Sequence, residues 1–360
     1  MFLTITIAFF SLIGLVVLHE FGHFIVAKRF GVRVEEFGIG YPPKLFGKKI
    51  GETVYSLNLL PFGAFVKMPG EIEQSDDPRS FFNKPVWQRA LIVVAGVVSF
   101  WIIAAVLFSI VLMMGAPTAI SDEETAGIVN PKVQITAVAK DSPAFVAGLQ
   151  AGDNIIGIKV PGADFTDINK VKDFQDFVNL SKGQSIDLKI ERGNENFEVN
   201  LVSRLNPPNG EGPLGVALVR VAIMSHPWWQ APWQGILATF DTTKGVILGY
   251  ARALTNLFNG LPTGVELTGP VGIVSLFSQV GKLGVNYFLQ FVAIIAVYVA
   301  IFNILPIPSV DGGKLLFLAI EAVRRKPVNP KIEQGITTVF FTLLLLVMVW
   351  VTIKDVIRLF

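Results

Sequence analysis

The chain has 360 residues, 52% of them apolar and only 16% charged, with a net charge of +2 and no cysteine. So apolar and sparsely charged a chain is not an ordinary soluble globular protein, which carries about a quarter charged residues, and it is not a disordered one, having ample surface to bury. The missing cysteines exclude disulfide scaffolds, zinc–thiolate sites and thiol nucleophiles, and the near-neutral charge gives no reason to expect nucleic acid as a partner.

Residues 2–27 form the first apolar stretch, broken only by His19, Glu20 and His23. It is long enough to cross a hydrocarbon core of ~30 Å. With no basic n-region and no small-residue cleavage site, it is expected to remain as a span and not to be removed as a signal peptide. In residues 54–67 polar and apolar positions alternate around a turn at 61–63, which suits either a strand edge or an ordinary hairpin. Residues 90–114 form the second span. From 131 to 204 the pattern changes to short β-type runs at 133–138, 154–158, 185–190 and 197–201. A helix at 173–180 places Phe174, Phe177 and Val178 on one face. This reads as one soluble domain of ~75 to 90 residues, closed by Pro207-Pro208-Asn209-Gly210. His226 precedes Trp228, Trp229 and Trp233 and fits an interfacial aromatic anchor. Residues 235–258 contain Asp241, Lys244 and Arg252, which suits an amphipathic helix on the membrane better than a span. Residues 285–305 form the third span and 337–352 a shorter fourth.

Lys28, Arg29, Arg33, Lys84 and Arg89 crowd the loop between spans one and two, and Lys314, Arg324, Arg325, Lys326 and Lys331 the loop between three and four, whereas Asp122, Glu123 and Glu124 follow span two. The positive-inside rule puts both basic loops in the cytoplasm, and the 116–284 segment and both termini outside. The expected division is a membrane core in two halves, 1–115 and 285–360, around an outer β-rich domain at 128–205 and a following segment at 206–284.

The chemistry concentrates in His19-Glu20-Phe21-Gly22-His23, which holds two of the three histidines. Positions i and i+4 share one helix face, so both imidazoles can reach one ion, and Glu20 stands near enough to take a proton from a metal-activated water. Imidazole plus carboxylate with an open position is the hydrolytic arrangement of zinc. Ionisable groups inside a membrane helix are costly and usually functional. The third ligand is expected among the few other ionisable residues at membrane depth. Asp311 is the best placed, after Asn303-Ile304-Leu305-Pro306-Ile307-Pro308, although an Asp before two glycines also suits a helix N-cap or a turn.

The pairing of His19-Glu20-Phe21-Gly22-His23 with Asn303-x-x-Pro306-x-Pro308-x-x-Asp311-Gly312 resembles the site-2 protease family of intramembrane zinc metalloproteases. The order of parts is most like its bacterial regulator-of-sigma-E-protease branch. The stretch 57–67 looks like that branch's membrane-reentrant β segment, 80–89 like its cytoplasmic helix, Gly148-Leu149-Gln150-Ala151-Gly152-Asp153 like a PDZ domain, and Gly269-Pro270-Val271-Gly272-Ile273 like its post-PDZ segment. The resemblance implies a polytopic α-helical membrane protein with four transmembrane helices, a reentrant β segment and one inserted PDZ domain, in the bacterial inner membrane. It implies one zinc on His19, His23 and Asp311, Glu20 as general base, and Asn303 beside the metal, holding the substrate backbone or the oxyanion. Two departures stand out: residues 95–101 lack the Asn common in the family's second span, and Val310 replaces the usual Leu. The outer segment also fits only one PDZ domain, where some members carry two.

A transmembrane helix has all its peptide groups satisfied, so a protease acting on one must hold it partly unwound, as β-addition to a strand edge does. Asn58, Leu59 and Gly63 are the candidate substrate contacts on residues 54–67. The expected substrates are single-span membrane proteins, such as anti-sigma factors or remnant signal peptides, cut within the bilayer after prior trimming, with the PDZ domain binding a peptide or new C-terminus. The alternative is an inactive membrane scaffold acting through its PDZ domain. A metal transporter would need ionisable residues in the second and fourth spans as well.

Overall fold

The computed structural model describes residues 2–71, 75–124, 129–193, 195–208, 210–260 and 268–359. The chain forms two compact units, one of residues 1–109, 232–278 and 291–360, the other of residues 110–231 and 279–290. In chain order the elements are α1 (Phe2–Arg29), β1 (Glu36–Ile50), β2 (Thr53–Lys67), α2 (Val86–Met114), β3 (Ala116–Ile120), β4 (Val129–Val138), α3 (Pro143–Val146), β5 (Asn154–Lys159), β6 (Thr166–Asp167), α4 (Val171–Leu180), β7 (Ser185–Arg192), β8 (Glu195–Val202), β9 (Val216–Met224), α5 (Ala231–Phe258), α6 (Pro270–Leu283), α7 (Val285–Ile304), α8 (Asp311–Arg324) and α9 (Pro330–Leu359).

In the first unit, α1, α2, α7 and α9 are long and apolar enough to cross a membrane, four such helices among the described residues. The fourth is longer than its apolar run at 337–352, because Lys331 and Glu333 at one end and Lys354 and Asp355 at the other continue the helix into charged turns. α5 forms as a helix over the amphipathic stretch, while α6 was not anticipated. α1 and α2 approach closely at Gly22, where an added Cβ would come within 3 Å of Ser99 Oγ and the Ala95 carbonyl. Small residues allow such close helix contacts where no hydrophobic force draws helices together.

β1 and β2 form a small sheet. The far end of β1 turns back as a hairpin, with Ile50 opposite Thr53 and Lys44 opposite Asn58, while 36–39 lies opposite both 54–57 and 64–67. The strand edge expected over 54–67 is therefore only partly an edge. Residues 54–57 are flanked on both sides, and 64–67 has a neighbour on one side among the described residues. At the hairpin turn Glu52 takes Lys28 and Arg79 as partners, which lower its carboxyl from 4.5 to about 2. The sheet, the end of α1, α2 and α8 share a core containing Ala27, Val34, Val66, Ile92, Val93 and Leu318.

The second unit is a seven-stranded sheet ordered β3-β9-β4-β5-β7-β8, with β6 on β5. Ile186, Leu188 and Ile190 of β7 alternate inward and are fully buried, with Ile135, Ile155 and Ile158 of the neighbouring strands. α4 closes this core with Phe174 and Val178. The sheet does not stop at residue 205: β9, drawn from the expected 206–284 segment, pairs with β3 and β4. The expected closing stretch 207–210, of which Asn209 lies outside the described residues, does not end the domain, because the apolar strand after it belongs to the same sheet. Trp228, Trp229 and Trp233 are exposed.

Asp153, 1% exposed, accepts the Gln150 amide and two guanidinium hydrogen bonds from Arg192 at 2.6 and 2.7 Å. Asp153→Asn leaves that guanidinium poorly matched and is expected to cost about 1.5–3 kcal/mol. Limited proteolysis of the full chain reads this as roughly ten- to hundredfold faster nicking of the β-rich unit. Unchanged nicking would show that the pair is not holding the unit together.

Candidate metal centre

His19 and His23 lie on one face of α1, four residues apart, and both are buried. His23 Nδ1 lies 2.8 Å from the Ile92 carbonyl of α2. A carbonyl can only accept, so Nδ1 carries the proton and the Nε2 lone pair of His23 faces inward. His19 stacks on Phe100 of α2, with ring centroids 4.6 Å apart and planes at 18°. Gly96, between Ile92 and Phe100, leaves room for both imidazoles: a Cβ there would come within 3 Å of His23 Nε2, His23 Cε1 and His19 Cε1.

Asp311 arrives from the other half of the chain. Pro306 and Pro308 carry no amide hydrogen and end the helical run after α7, and α8 begins at Asp311. Gly312 and Gly313 let this turn fold tightly onto the end of α7, since a Cβ on either would strike backbone carbonyls at 304–307. Val310, with no side-chain cap bond, holds the N-cap position. Asp311 is therefore the first helical residue and not the cap, and its carboxylate reaches the histidines. Asp311 Oδ2 lies 3.3 Å from His19 Nε2 and 3.4 Å from His23 Nε2, and the two Nε2 atoms lie 3.2 Å apart. Asp311 Oδ2 is buried without a hydrogen-bond partner.

Three donor atoms thus converge at nearly equal spacing. With the His23 proton on Nδ1, such convergence of lone pairs suits a cation. A tetrahedral ion with bonds of ~2.0–2.1 Å separates its ligands by ~3.3 Å, so the donor set fits zinc in both chemistry and spacing. The Glu20 carboxylate lies within 4.8 Å of the ligand atoms of both histidines, close by but outside the tighter triangle.

A cavity of about 690 Å³ opens beside these groups, lined by His19, Glu20, Asn303, Asp311, Tyr41, Ala64 and, on α9, Glu333 and Thr337. The ion pair of Lys314 with Glu71 lines it too. Asn303 uses one amide hydrogen on the Val299 carbonyl at 2.9 Å, which leaves the other. The three candidate substrate contacts fall differently from the expectation. Asn58 is buried, with its amide committed to the Gly40 carbonyl at 3.1 Å and to Ser56. Leu59 is exposed, Gly63 sits beside the Tyr41 ring at φ +91°, and none of the three lines the cavity, where Tyr41 and Ala64 stand instead. Residues 95–101, notable in the sequence for lacking an Asn, supply Gly96 and Phe100. The glycine was the legible signal of a close approach.

The profile of peptidase family M50 matches residues 7–347. The chain belongs to this family. It is 36% identical over 356 residues, 98% of each chain, to a Clostridium perfringens protein provisionally named a zinc metalloprotease. It is 29% identical to the regulator of sigma-W protease RasP of Bacillus subtilis, with all of both chains covered. A solved PDZ domain of the SdrC-like protein from Listeria monocytogenes is 24% identical over 24% of this chain and 85% of that one, with a TM-score of 0.21. The protein is a membrane zinc metalloprotease of the site-2 protease family.

Proposed function

We propose that the protein is an intramembrane endopeptidase that cuts single-span membrane proteins within their transmembrane segments, after their outer parts have been trimmed. The observation that carries this reading is the convergence of Asp311 with His19 and His23, beside Glu20, the last three on a helix long and apolar enough to span the bilayer. His19, His23 and Asp311 hold one zinc, which supplies Lewis-acid polarisation of the scissile carbonyl and a water of lowered pKa. Glu20 takes the proton of the attacking water and delivers it to the leaving nitrogen. The free Asn303 amide hydrogen is directed at the substrate backbone or the oxyanion.

The substrate is held unwound along the free side of 64–67, next to Ala64 in the cavity wall, so the β1–β2 sheet serves as the reentrant segment. The excess of basic residues in the loops at 28–89 and 306–336 supports putting this end of the site toward the cytoplasm of a bacterial inner membrane, with His19 ~25 Å along its helix from the outer side. The β-rich unit is the PDZ domain, lies outside, and screens substrates by size or by a new C-terminus.

The test uses the full chain reconstituted with a truncated single-span reporter. The expected result is a cut inside the transmembrane segment, nearer its cytoplasmic end, mapped by mass spectrometry. Cuts confined to the soluble flanks would overturn the reading. The ligand set is tested separately, because zinc retained by the double variant His23→Ala, Asp311→Ala would remove it.

A further inference from the structure

Arg89 is one of the few charged side chains in the membrane unit withdrawn from solvent, 6% exposed at the start of α2. Its Nη2 donates to Glu321 Oε1 of α8 at 2.5 Å across 232 residues of sequence, and its Nε donates to the Lys84 carbonyl at 3.0 Å. Taking two charges out of water costs several kcal/mol per ion, and an apolar pair of similar volume is often as stable, so stability alone is a weak reason for such a bridge.

Helical spacing shows what the bridge aligns. On α2, Arg89, Ile92, Gly96 and Phe100 fall at 0, 3, 7 and 11 residues, within one stripe of about 80°. On α8, Asp311, Lys314, Leu318 and Glu321 fall at 0, 3, 7 and 10, again within one stripe of about 80°. At one end of these facing stripes stand the Ile92 carbonyl, Gly96 and Phe100 against the histidines, with Asp311 opposite. In the middle Ile92 and Leu318 share a core. At the other end stands the ion pair. Turning either helix by one residue, about 100°, would break the pair and misdirect the metal donors together.

We propose that Arg89 and Glu321 are positioning residues for the metal centre, their buried bridge fixing the rotation of α2 and α8 about the two histidines. This rests on the ligand set proposed above. Arg89→Met and Glu321→Gln in the reconstituted full chain are each expected to raise the zinc dissociation constant about tenfold or more, measured by chelator competition. They should lower kcat and leave KM within about twofold. Arg89→Lys, which keeps the charge without the guanidinium fork, should recover most of the zinc affinity. Asp153→Asn, which breaks a bridge in the β-rich unit, should leave zinc affinity at the wild-type value.

The proposal is overturned if Arg89→Met and Glu321→Gln bind zinc as wild type does, or if Asp153→Asn weakens zinc as much as they do. If Arg89→Met fails to accumulate, wild-type zinc affinity in Glu321→Gln overturns it equally. His23→Ala separates the two levels. Zinc retained there means the ligand set itself is wrong, whereas zinc lost there but kept in the Arg89 and Glu321 variants means only this inference fails.

Discussion

Glu20→Gln is expected to reduce reporter cleavage by about 10²–10⁴-fold, the range for removing a general base, while zinc content stays at the wild-type level. The split follows from the geometry. The donor triangle is made by His19, His23 and Asp311 at 3.2–3.4 Å, and Glu20 stands outside it, on the cavity wall. Glutamine preserves the side chain's shape and one oxygen but cannot take a proton at neutral pH. Loss of zinc together with activity would make Glu20 a ligand and require a different base. Activity and zinc both at wild-type levels would remove the hydrolytic role altogether. Asp311→Asn provides the converse: an amide is a poor ligand in place of a carboxylate, so zinc and activity should fall together.

What the sequence made legible was what one local pattern can encode. The apolar runs identified the four helices that, among the described residues, are long and apolar enough to cross a membrane, because length and hydropathy need no partner to be recognised. HExxH identified the histidines because i and i+4 spacing sets their shared face before any folding occurs. Asp311 was ambiguous from spacing, since an acid before two glycines also suits a cap. Its carboxylate comes within 3.4 Å of both histidines where Gly312 and Gly313 let α8 fold onto the end of α7, a contact between neighbouring elements that no periodicity reveals. Strands β4, β5, β7 and β8 were readable from alternation, but β9 was not assigned to the sheet because its partners β3 and β4 lie about 80 to 110 positions earlier in the chain. Asn58 looked like a polar contact on a strand edge, yet it is buried, with Lys44 opposite it and its amide turned onto the Gly40 carbonyl and Ser56. The supports from α2, namely Ile92, Gly96 and Phe100, were not identified for a related reason. A carbonyl has no residue signature, and a glycine in an apolar helix reports a close neighbour without naming it.

Gly96→Ala is the sharpest test of those supports, and it is expected to abolish both zinc binding and cleavage at an added volume of one methyl group. The new Cβ would come within 3 Å of His23 Nε2 and Cε1 and of His19 Cε1, the ring edges of the two proposed ligands. Neither ring can move aside cheaply. His23 is held through Nδ1 to the Ile92 carbonyl, and His19 is stacked on Phe100. The remaining response is for α1 and α2 to move apart, which gives up their close contact at Gly22, costs about 1–3 kcal/mol of overpacking strain and moves the Ile92 carbonyl off His23. Gly14→Ala supplies the control on the same helix as the histidines. A Cβ there meets nothing within 4 Å, so this substitution should leave zinc content and cleavage at the wild-type level. If Gly96→Ala behaves like Gly14→Ala, then α2 does not press on the imidazoles, and the orientation of the ligands must come from α1 and α8 alone.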